Sequence, residues 1–339
     1  MAKKKKTALK RKKGTRSVLR TINALIAILF AVYLAAFQLF IAPNSEASWM
    51  TYFLVENGFL TTLAFCALMT LLSIRSWRLL LAWLALSAIE IVIGGHPSFG
   101  SRPAESPAKT IKVLTYNVAH FDFDKPGVIE VIKESQADLV FLQEACKLDE
   151  QKKVGESLCR ELKGYQFVVS SSNMILSRFP IKFERMLNMP TKWPVKQFPI
   201  AMVETPLGRV RVICVHMEPS WVGGFPPNFS EYIPVVSKVV RDRRAQTDIL
   251  LATLRPSKEP VIMAGDFNGP PGSESVHRIG EYFTDSFAAT EKGFGFTLVP
   301  KMPYKRIDYV WARGLAPQQS EVINSLSSDH MAVLTTLGK

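Results

Sequence analysis

Residues 260–273 read PVIMAGDFNGPPGS, and within them the sequence changes abruptly from apolar to polar. The run VIM is typical of a buried β-strand, whereas the Gly and Pro residues after Asn268 end regular structure. Taken alone, Asp266 and Asn268 would also suit an ordinary turn, because short polar side chains bond nearby backbone groups. The choice depends on whether other strands of the chain end in the same kind of residue.

Short β-rich runs alternate with helical patterns throughout residues 111–339. This alternation predicts a layered α/β or α+β domain, and several strands follow one another too closely for a crossover helix, so part of each sheet must be antiparallel. The predicted strands cover 111–118, 138–144, 165–170, 173–178, 200–205, 209–217, 260–266, 307–313 and 331–336, and the predicted helices cover 126–136, 149–163 and 237–254.

Polar residues that strands usually avoid stand at the ends of these runs. Each has an ordinary interpretation alone, as a turn residue, a cap, a core histidine or half of a surface ion pair. Together, at converging strand ends, they predict one site that holds a hard divalent cation and transfers protons. They are Asn117 in TYNV, Glu144 in LQE, His216 in VHME, Asp266 and Asn268 in GDFN, Asp308 in RIDYV, and Asp329 and His330 in SDH.

This series of motifs resembles the endonuclease/exonuclease/phosphatase superfamily, the metal-dependent phosphoesterases related to pancreatic-type deoxyribonuclease. The resemblance covers about residues 110–337, and MILSRFPI at 174–181 also resembles a mid-domain strand of that superfamily. It implies a four-layer α/β (α+β) sandwich, in which two packed mixed β-sheets are flanked by helices. The apolar runs that precede it are similar to those of the membrane-anchored bacterial branch.

The resemblance also implies a role for each strand-end residue in metal binding. Glu144 matches the main metal ligand, and Asn117 and Asp329 match residues near the metal or its waters. The implied cofactor is Mg²⁺, with Mn²⁺ as the alternative. Some nuclease branches carry an acid where this chain has Ala119, which weakens a nuclease assignment and places more of the metal binding on Glu144.

A second group of residues matches the proton-transfer and phosphate-contacting positions of the superfamily. Asp266 and Asn268 match the pair that positions or deprotonates the attacking water. Asp308 matches the carboxylate that orients His330, and His216 matches the histidine that contacts the scissile phosphate. Whether Asp266 or His330 is the general base stays open at this stage.

Substrate-binding residues are less clearly marked in the sequence. Arg178 and Lys192 are candidates for a mid-domain phosphate contact. Trp221 lies in the aromatic loop 218–236, which is predicted either to contact substrate or lipid or to pack on itself.

Charge and hydropathy divide the N-terminal part of the chain. The chain has a net charge of +13, and residues 1–20 contain ten Lys or Arg and no acid, so the basic pI describes a tail. Within 21–94, the apolar stretches 22–42, 53–74 and 77–93 predict about three transmembrane helices. One span with a re-entrant hairpin is the alternative, and a soluble helical hairpin is a third. Residues 95–110 are predicted to be a linker to the catalytic domain at 111–339.

The distribution of charge predicts the orientation of the chain in a bacterial inner membrane. The basic tail should stay in the cytoplasm, together with Arg75 and Arg78, whereas segment 43–52 contains no cation. With three spans, the catalytic domain would lie on the extracytoplasmic, periplasmic side. There a Cys146–Cys159 disulfide is conceivable, although nothing in the sequence requires it.

The predicted function is that of a membrane-anchored, Mg²⁺-dependent phosphoesterase that hydrolyses a phosphodiester, as a nuclease does, by metal-assisted in-line attack of water. The predicted partners are the lipid bilayer and a phosphodiester substrate, either nucleic acid or a phospholipid headgroup. The first alternative is a phospholipid or phosphoinositide headgroup phosphodiesterase or phosphatase. The second is a non-catalytic binding module.

Overall fold

The structure is a computed structural model that describes residues 2–104, 107–191, 195–219 and 229–339. Two compact units are present. The first comprises Met1–Ser45 and Met50–His96, and the second comprises Glu46–Trp49 and Pro97–Lys339. The second unit therefore includes a short piece of chain from between the first two apolar stretches.

Three helices form where the sequence has its apolar stretches: α1 (Ala2–Ala36), α2 (Trp49–Leu72) and α3 (Trp77–Ile93). In the first unit, Phe30 and Trp83 pack in one buried cluster with their ring centroids 5.7 Å apart. Over the described residues, one helical stretch, Ser17–Ile41, is long and apolar enough to cross a membrane or to serve as a signal sequence. The three-span count stays a prediction.

The second unit carries most of the regular structure. Its helices are α4 (Lys125–Ser135), α5 (Gln151–Glu161), α6 (Phe229–Leu254), α7 (Glu274–Gly280) and α8 (Ser286–Thr290). Its strands are β1 (Ser98–Phe99), β2 (Thr110–Asn117), β3 (Leu139–Gln143), β4 (Gln166–Ser170), β5 (Asn173–Ser177), β6 (Ile181–Asn188), β7 (Gln197–Thr205), β8 (Gly208–His216), β9 (Val261–Asp266), β10 (Thr284–Asp285), β11 (Lys292–Gly293), β12 (Asp308–Arg313), β13 (Ala316–Ile323) and β14 (Ala332–Gly338).

Two six-stranded mixed sheets form the centre of this unit. Their strand orders are β13-β14-β2-β3-β5-β4 and β10-β12-β9-β8-β7-β6. Within each sheet one pair of strands is parallel, β2 with β3 and β8 with β9, and every other pair is antiparallel. Each parallel pair is connected through a helix, α4 in the first sheet and α6 in the second, as parallel strands require.

The sheets are apolar on both faces, which explains the unbroken hydrophobic runs of the central strands. One cluster, containing Phe141 and Ile262, lies between the sheets. A second, containing Leu114 and Ile132, joins the first sheet to α4 and α5. A third, containing Met263, joins the second sheet to α6 and α7. The result is the predicted four-layer sandwich of two packed mixed sheets flanked by helices.

Some elements differ from the sequence-based expectations. Strands β6 and β13 were not predicted because each is a sheet edge with a solvent-facing side, so neither has an apolar run. Inside the predicted linker 95–110, β1 pairs with β11. All four cysteines are free, so the conceivable Cys146–Cys159 disulfide is absent.

Candidate active site

The topology brings the strand-end residues to one edge of the sandwich. Because β2 and β3 are parallel, Asn117 pairs with the last residue of β3 and Glu144 follows directly. In the second sheet, His216 at the end of parallel β8 pairs with Asp266 at the end of β9. Strand β12 runs antiparallel to β9, so its first residue, Asp308, pairs with Asp266. Residues from both sheets thus meet at the same edge.

The backbone turns sharply where these strands end. Glu144 and Asn268 adopt left-handed conformations, with φ of 52° and 50°. Non-glycine residues rarely adopt this conformation, and it persists only where surrounding contacts hold it. The turns redirect both side chains immediately after their strands, as a site built on a rigid sheet edge requires.

Asp266 is the most densely hydrogen-bonded carboxylate of the cluster. Its Oδ1 accepts from the backbone N–H of Asn268 at 2.8 Å. Its Oδ2 accepts from the amide groups of Asn268 and Asn117 at 3.2 and 3.1 Å. Asp266 is 1% exposed, so these donors replace the water that would otherwise solvate the carboxylate.

His330 lies between two carboxylates. Its Nδ1 is 2.9 Å from Asp308 Oδ2, and its Nε2 is 3.8 Å from Asp266 Oδ2. Potential metal-ligand atoms of these three buried residues all lie within 4.8 Å of one another. Thr297 fixes the start of β12, since its Oγ1 accepts from the backbone N–H of Asp308 at 3.3 Å.

Glu144 lies at the more open side of the cluster. Its Oε1 accepts from the Asn117 amide at 3.3 Å and is 3.6 Å from His216 Nε2. Its Oε2 is 3.4 Å from Nε2 of His120, a half-exposed histidine. His216 Nε2 is also 3.8 Å from Asp266 Oδ2, so it connects the two acids.

Burial and neighbouring charges shift the pKa values of the central groups in different directions. Burial and then the like charge of Asp308 raise the pKa of Asp266. Burial alone would lower the pKa of His330, but Asp308 and Asp266 outweigh it, so the net shift is upward. Burial, reinforced by the cation of Lys196, lowers the pKa of His216 well below its ordinary value. The protein therefore favours a charged His330 and a neutral His216.

Two residues close to this cluster were missed by the sequence analysis. Buried Lys196, just before β7, donates to the carbonyl of Met217 at 3.0 Å and lies 3.5 Å from Glu218 Oε2. Neither Lys196 nor His120 is the last residue of a predicted strand. The rarity of histidine was the available signal for His120, because the chain has only five.

The other predicted site residues have different placements. Asp329 is exposed and accepts a hydrogen bond from Ser328, and its charge contributes to the raised pKa of His330. Arg178 is not part of the cluster, because β5 runs antiparallel to β3 and ends at the opposite edge. Its guanidinium lies over the ring of Tyr165, 5.1 Å from the centroid. Trp221 and Lys192 fall outside the described residues.

The donor set suits a hard divalent cation. It combines carboxylate oxygens, an amide and imidazole nitrogens, and it lacks a cysteine. Within the described part of the chain, Asp308 Oδ1 is buried and has no hydrogen-bond partner. A buried carboxylate oxygen without a partner is costly, and a cation or its bound water would satisfy it.

A two-sheet sandwich with carboxylates and histidines converging at one edge could hold a divalent cation beside groups that transfer protons. The family model described as the Endonuclease/Exonuclease/phosphatase family matches residues 114–330. The chain belongs to this family and is a hydrolase of the phosphoesterase class, whose members generally depend on divalent metals. Family membership argues against the non-catalytic binding module.

Solved structures share this fold at low sequence identity. An endonuclease/exonuclease/phosphatase from Beutenbergia cavernae DSM 12333 is 19% identical, with a TM-score of 0.51 over 68% of this chain and 72% of that chain. A family protein from Leptotrichia buccalis C-1013-b is 17% identical, with a TM-score of 0.50 over 68% and 100%. D. rerio TDP2 complexed with single strand DNA product is 18% identical, with a TM-score of 0.50 over 68% and 100%. No curated protein gives a significant match.

Proposed function

We propose that the protein is a membrane-anchored, Mg²⁺-dependent phosphodiesterase. The observation that carries this proposal is the convergence of Asp266, Asp308 and His330 with Glu144 and His216 at one sheet edge. Such a set combines a proton acceptor, a charge-stabilising imidazolium and an oxygen-rich cation site, which together are what hydrolysis of an anionic phosphodiester requires.

Glu144, assisted by Asn117 and Asp329, would hold the cation, as the family pattern predicts. When bound, the cation supplies charge neutralisation on the phosphate oxygens and stabilises the departing oxygen. Mn²⁺ is the expected substitute, because its preference for oxygen ligands is similar.

Asp266 is the general base in this proposal. His330 is the weaker candidate because its ring lies between Asp308 and Asp266 and already favours the protonated form. Asp266 has a raised pKa, which brings its proton affinity closer to that needed at neutral pH. The donors from Asn268 and Asn117 fix the direction in which this carboxylate faces an attacking water.

The two histidines would then have separate tasks at the phosphate. A charged His330, held by Asp308, stabilises negative charge on a non-bridging oxygen. Neutral His216, close to Glu144 and Asp266, offers a ring N–H to the scissile phosphate. Buried Lys196 adds positive potential near the same edge.

Two substrate classes are consistent with this chemistry. A nucleic acid is supported by the DNA product in the D. rerio TDP2 structure, at 18% identity. A phospholipid headgroup, including a phosphoinositide, is the second candidate, and it is supported by the helical stretch Ser17–Ile41, which is long and apolar enough to cross a bilayer. Outside its first 20 residues the chain is nearly charge-balanced, with 32 basic and 29 acidic residues, so it lacks the strong basic excess typical of nucleic-acid binding.

The experiment is a hydrolysis assay of the full chain in detergent micelles. Single- and double-stranded DNA, RNA, sphingomyelin, phosphoinositides and a chromogenic phosphodiester are compared with Mg²⁺ and with chelator. Glu144→Ala and His330→Ala, purified identically, control for contaminating nuclease. Metal-dependent turnover lost in both variants is the expected result, and its substrate distinguishes the two classes. No turnover on any substrate by the folded wild type would contradict the proposal.

A further inference from the structure

Arg243 is a fully buried arginine next to the active-site turn. It lies on α6 and is 0% exposed. Its Nη1 lies within hydrogen-bond distance of three carbonyl oxygens, those of Glu218, Phe267 and Asn268, at 3.0, 3.1 and 2.8 Å, so its two N–H groups are shared among them. These carbonyls follow the parallel strands β8 and β9, so one guanidinium joins the two strand ends that present His216 and Asp266.

The contact with Asn268 is made where the backbone is most constrained. Asn268 has a left-handed conformation, and its N–H and side chain both donate to Asp266. Gly269 is required beside it, because a Cβ there would lie 2.4 Å from Arg243 Nη2. Arg243 therefore lies against the backbone of the turn and helps to fix the orientation of the Asp266 carboxylate.

The charge of Arg243 is balanced by an acid from a distant part of the sequence. Glu46 Oε1 accepts from Arg243 Nε at 3.2 Å, and neither side chain has solvent exposure. Glu46 is held in turn by the hydroxyl of Ser275, and its backbone N–H donates to Glu274 Oε2 at 3.1 Å. In the sequence, Glu46 precedes α2, so it lies outside residues 97–339.

We infer that Glu46 is a positioning residue for the catalytic turn, acting through Arg243. A buried guanidinium needs a buried anion, because an unpaired charge in the interior is strongly unfavourable. Without Glu46, the Arg243 side chain would move toward other acceptors or toward solvent. The carbonyls of Phe267 and Asn268 would then lose the hydrogen-bond donor that they share. The catalytic unit thus depends on a residue that lies outside the family match.

This inference rests on the proposed function, because it assigns Glu46 to the geometry of that reaction. A positioning role and a purely stabilising role for Glu46 predict different changes in kcat and in the melting temperature. A misplaced Asp266 slows the chemical step, so kcat should fall while KM changes little. A merely structural ion pair would lower the melting temperature but leave kcat per folded molecule unchanged.

The test compares Glu46→Gln with wild type in the full chain, using the chromogenic phosphodiester at saturating Mg²⁺. Glutamine keeps the size of the side chain and one carbonyl acceptor, and it removes the negative charge by replacing the other oxygen with an NH₂ group. The matched control is Glu184→Gln, which removes the acid of the Arg211–Glu184 ion pair, 2.9 Å long and partly exposed. We expect kcat to fall at least about tenfold in Glu46→Gln, with KM within about threefold, and to change less than about twofold in the control.

Backbone amide hydrogen exchange of residues 265–269 provides a readout that does not require activity. Faster exchange of these residues in Glu46→Gln than in the control supports the inference. This holds even if the wild type hydrolyses none of the substrates, because a lack of hydrolysis would count against the proposed function alone. Unchanged kcat and unchanged exchange in folded Glu46→Gln would overturn the inference. If Glu46→Gln fails to fold, Ser275→Ala is measured instead, because it loosens Glu46 but keeps its charge. Ser275→Ala must then lower kcat and speed hydrogen exchange in the turn, each by less than expected for Glu46→Gln.

Discussion

At the scale of single residues, the proposed function depends on how Asp266 is kept reactive inside the protein. Its carboxylate is almost fully buried, accepts three hydrogen bonds and faces both His216 and His330. The hydrogen bonds favour the charged form, whereas burial and Asp308 oppose it. The balance places its proton affinity well above that of an exposed aspartate, as catalysis near neutral pH requires.

We predict an acidic limb in the pH profile of kcat/KM. A general base must lose its proton before it acts, so activity should rise with pH through the raised pKa of Asp266. The midpoint should fall between the ordinary value of 3.8 and about 7, because bound Mg²⁺ stabilises the carboxylate and lowers the pKa from the value of the free protein. The measurement is kcat/KM from pH 3 to 8 at saturating Mg²⁺, and a profile flat over that range would exclude Asp266 as the base.

The sequence predicted that these residues lie together at one sheet edge, but it did not predict their electrostatics. Asn117, Glu144, Asp266 and His330 could be identified because strand ends leave a visible change from apolar to polar residues. Lys196 escaped because it precedes its strand, and its proximity to Glu218 depends on the packing of β7 beside β8. The directions of the pKa shifts depend on burial, which the sequence does not give.

At the scale of secondary-structure elements, the site depends on two parallel strand pairs that end at a common edge. The pair β8 and β9 presents His216 and Asp266 in register. The central strands of both sheets were predictable because they are buried on both faces and therefore apolar. The edge strands β6 and β13 were not, because polar residues on their open sides break the periodicity that identifies a strand.

At Gly265 the backbone of β9 lies so close to β8 that no side chain fits between them. Its φ is 151°, and an added Cβ would lie 1.9 Å from the carbonyl oxygen of Val215 on β8. We predict that Gly265→Ala reduces the free energy of unfolding by at least about 2 kcal/mol, since the parallel strands must separate to admit the methyl group. Chemical denaturation of both proteins measures this difference.

Gly280→Ala is the matched control for that substitution. Its added Cβ would meet only the ring of Trp311, at 3.8 Å, which is an ordinary contact. Its effect should stay within about 0.5 kcal/mol. Equal effects of the two substitutions would contradict the close approach of β8 and β9.

At the scale of the whole molecule, the second compact unit contains residues from two separate parts of the sequence. Glu46 belongs to the same compact unit as Pro97–Lys339. In a membrane, residue 46 and residue 97 must therefore lie on the same side, which requires an even number of crossings between them. Three spans satisfy this requirement, and so does one span followed by a re-entrant hairpin.

We predict that the chain is an integral membrane protein with its C-terminus outside the cytoplasm. The ten cations of residues 1–20 favour a cytoplasmic N-terminus, and Ser17–Ile41 is long enough to cross. Paired C-terminal fusions to a periplasm-active and a cytoplasm-active reporter test this orientation. Activity of the cytoplasmic reporter alone would show the reverse orientation.

The central claim is that Glu144 and its neighbours hold a divalent cation that is needed for hydrolysis. The most direct measurement is turnover of a chromogenic phosphodiester by the full chain during a Mg²⁺ titration, for wild type and Glu144→Gln. We expect no turnover with chelator, saturation with Mg²⁺ in the wild type, and a half-saturating Mg²⁺ concentration at least about tenfold higher in Glu144→Gln. Turnover that persists in chelator, or a Mg²⁺ dependence unchanged by Glu144→Gln, would contradict the account.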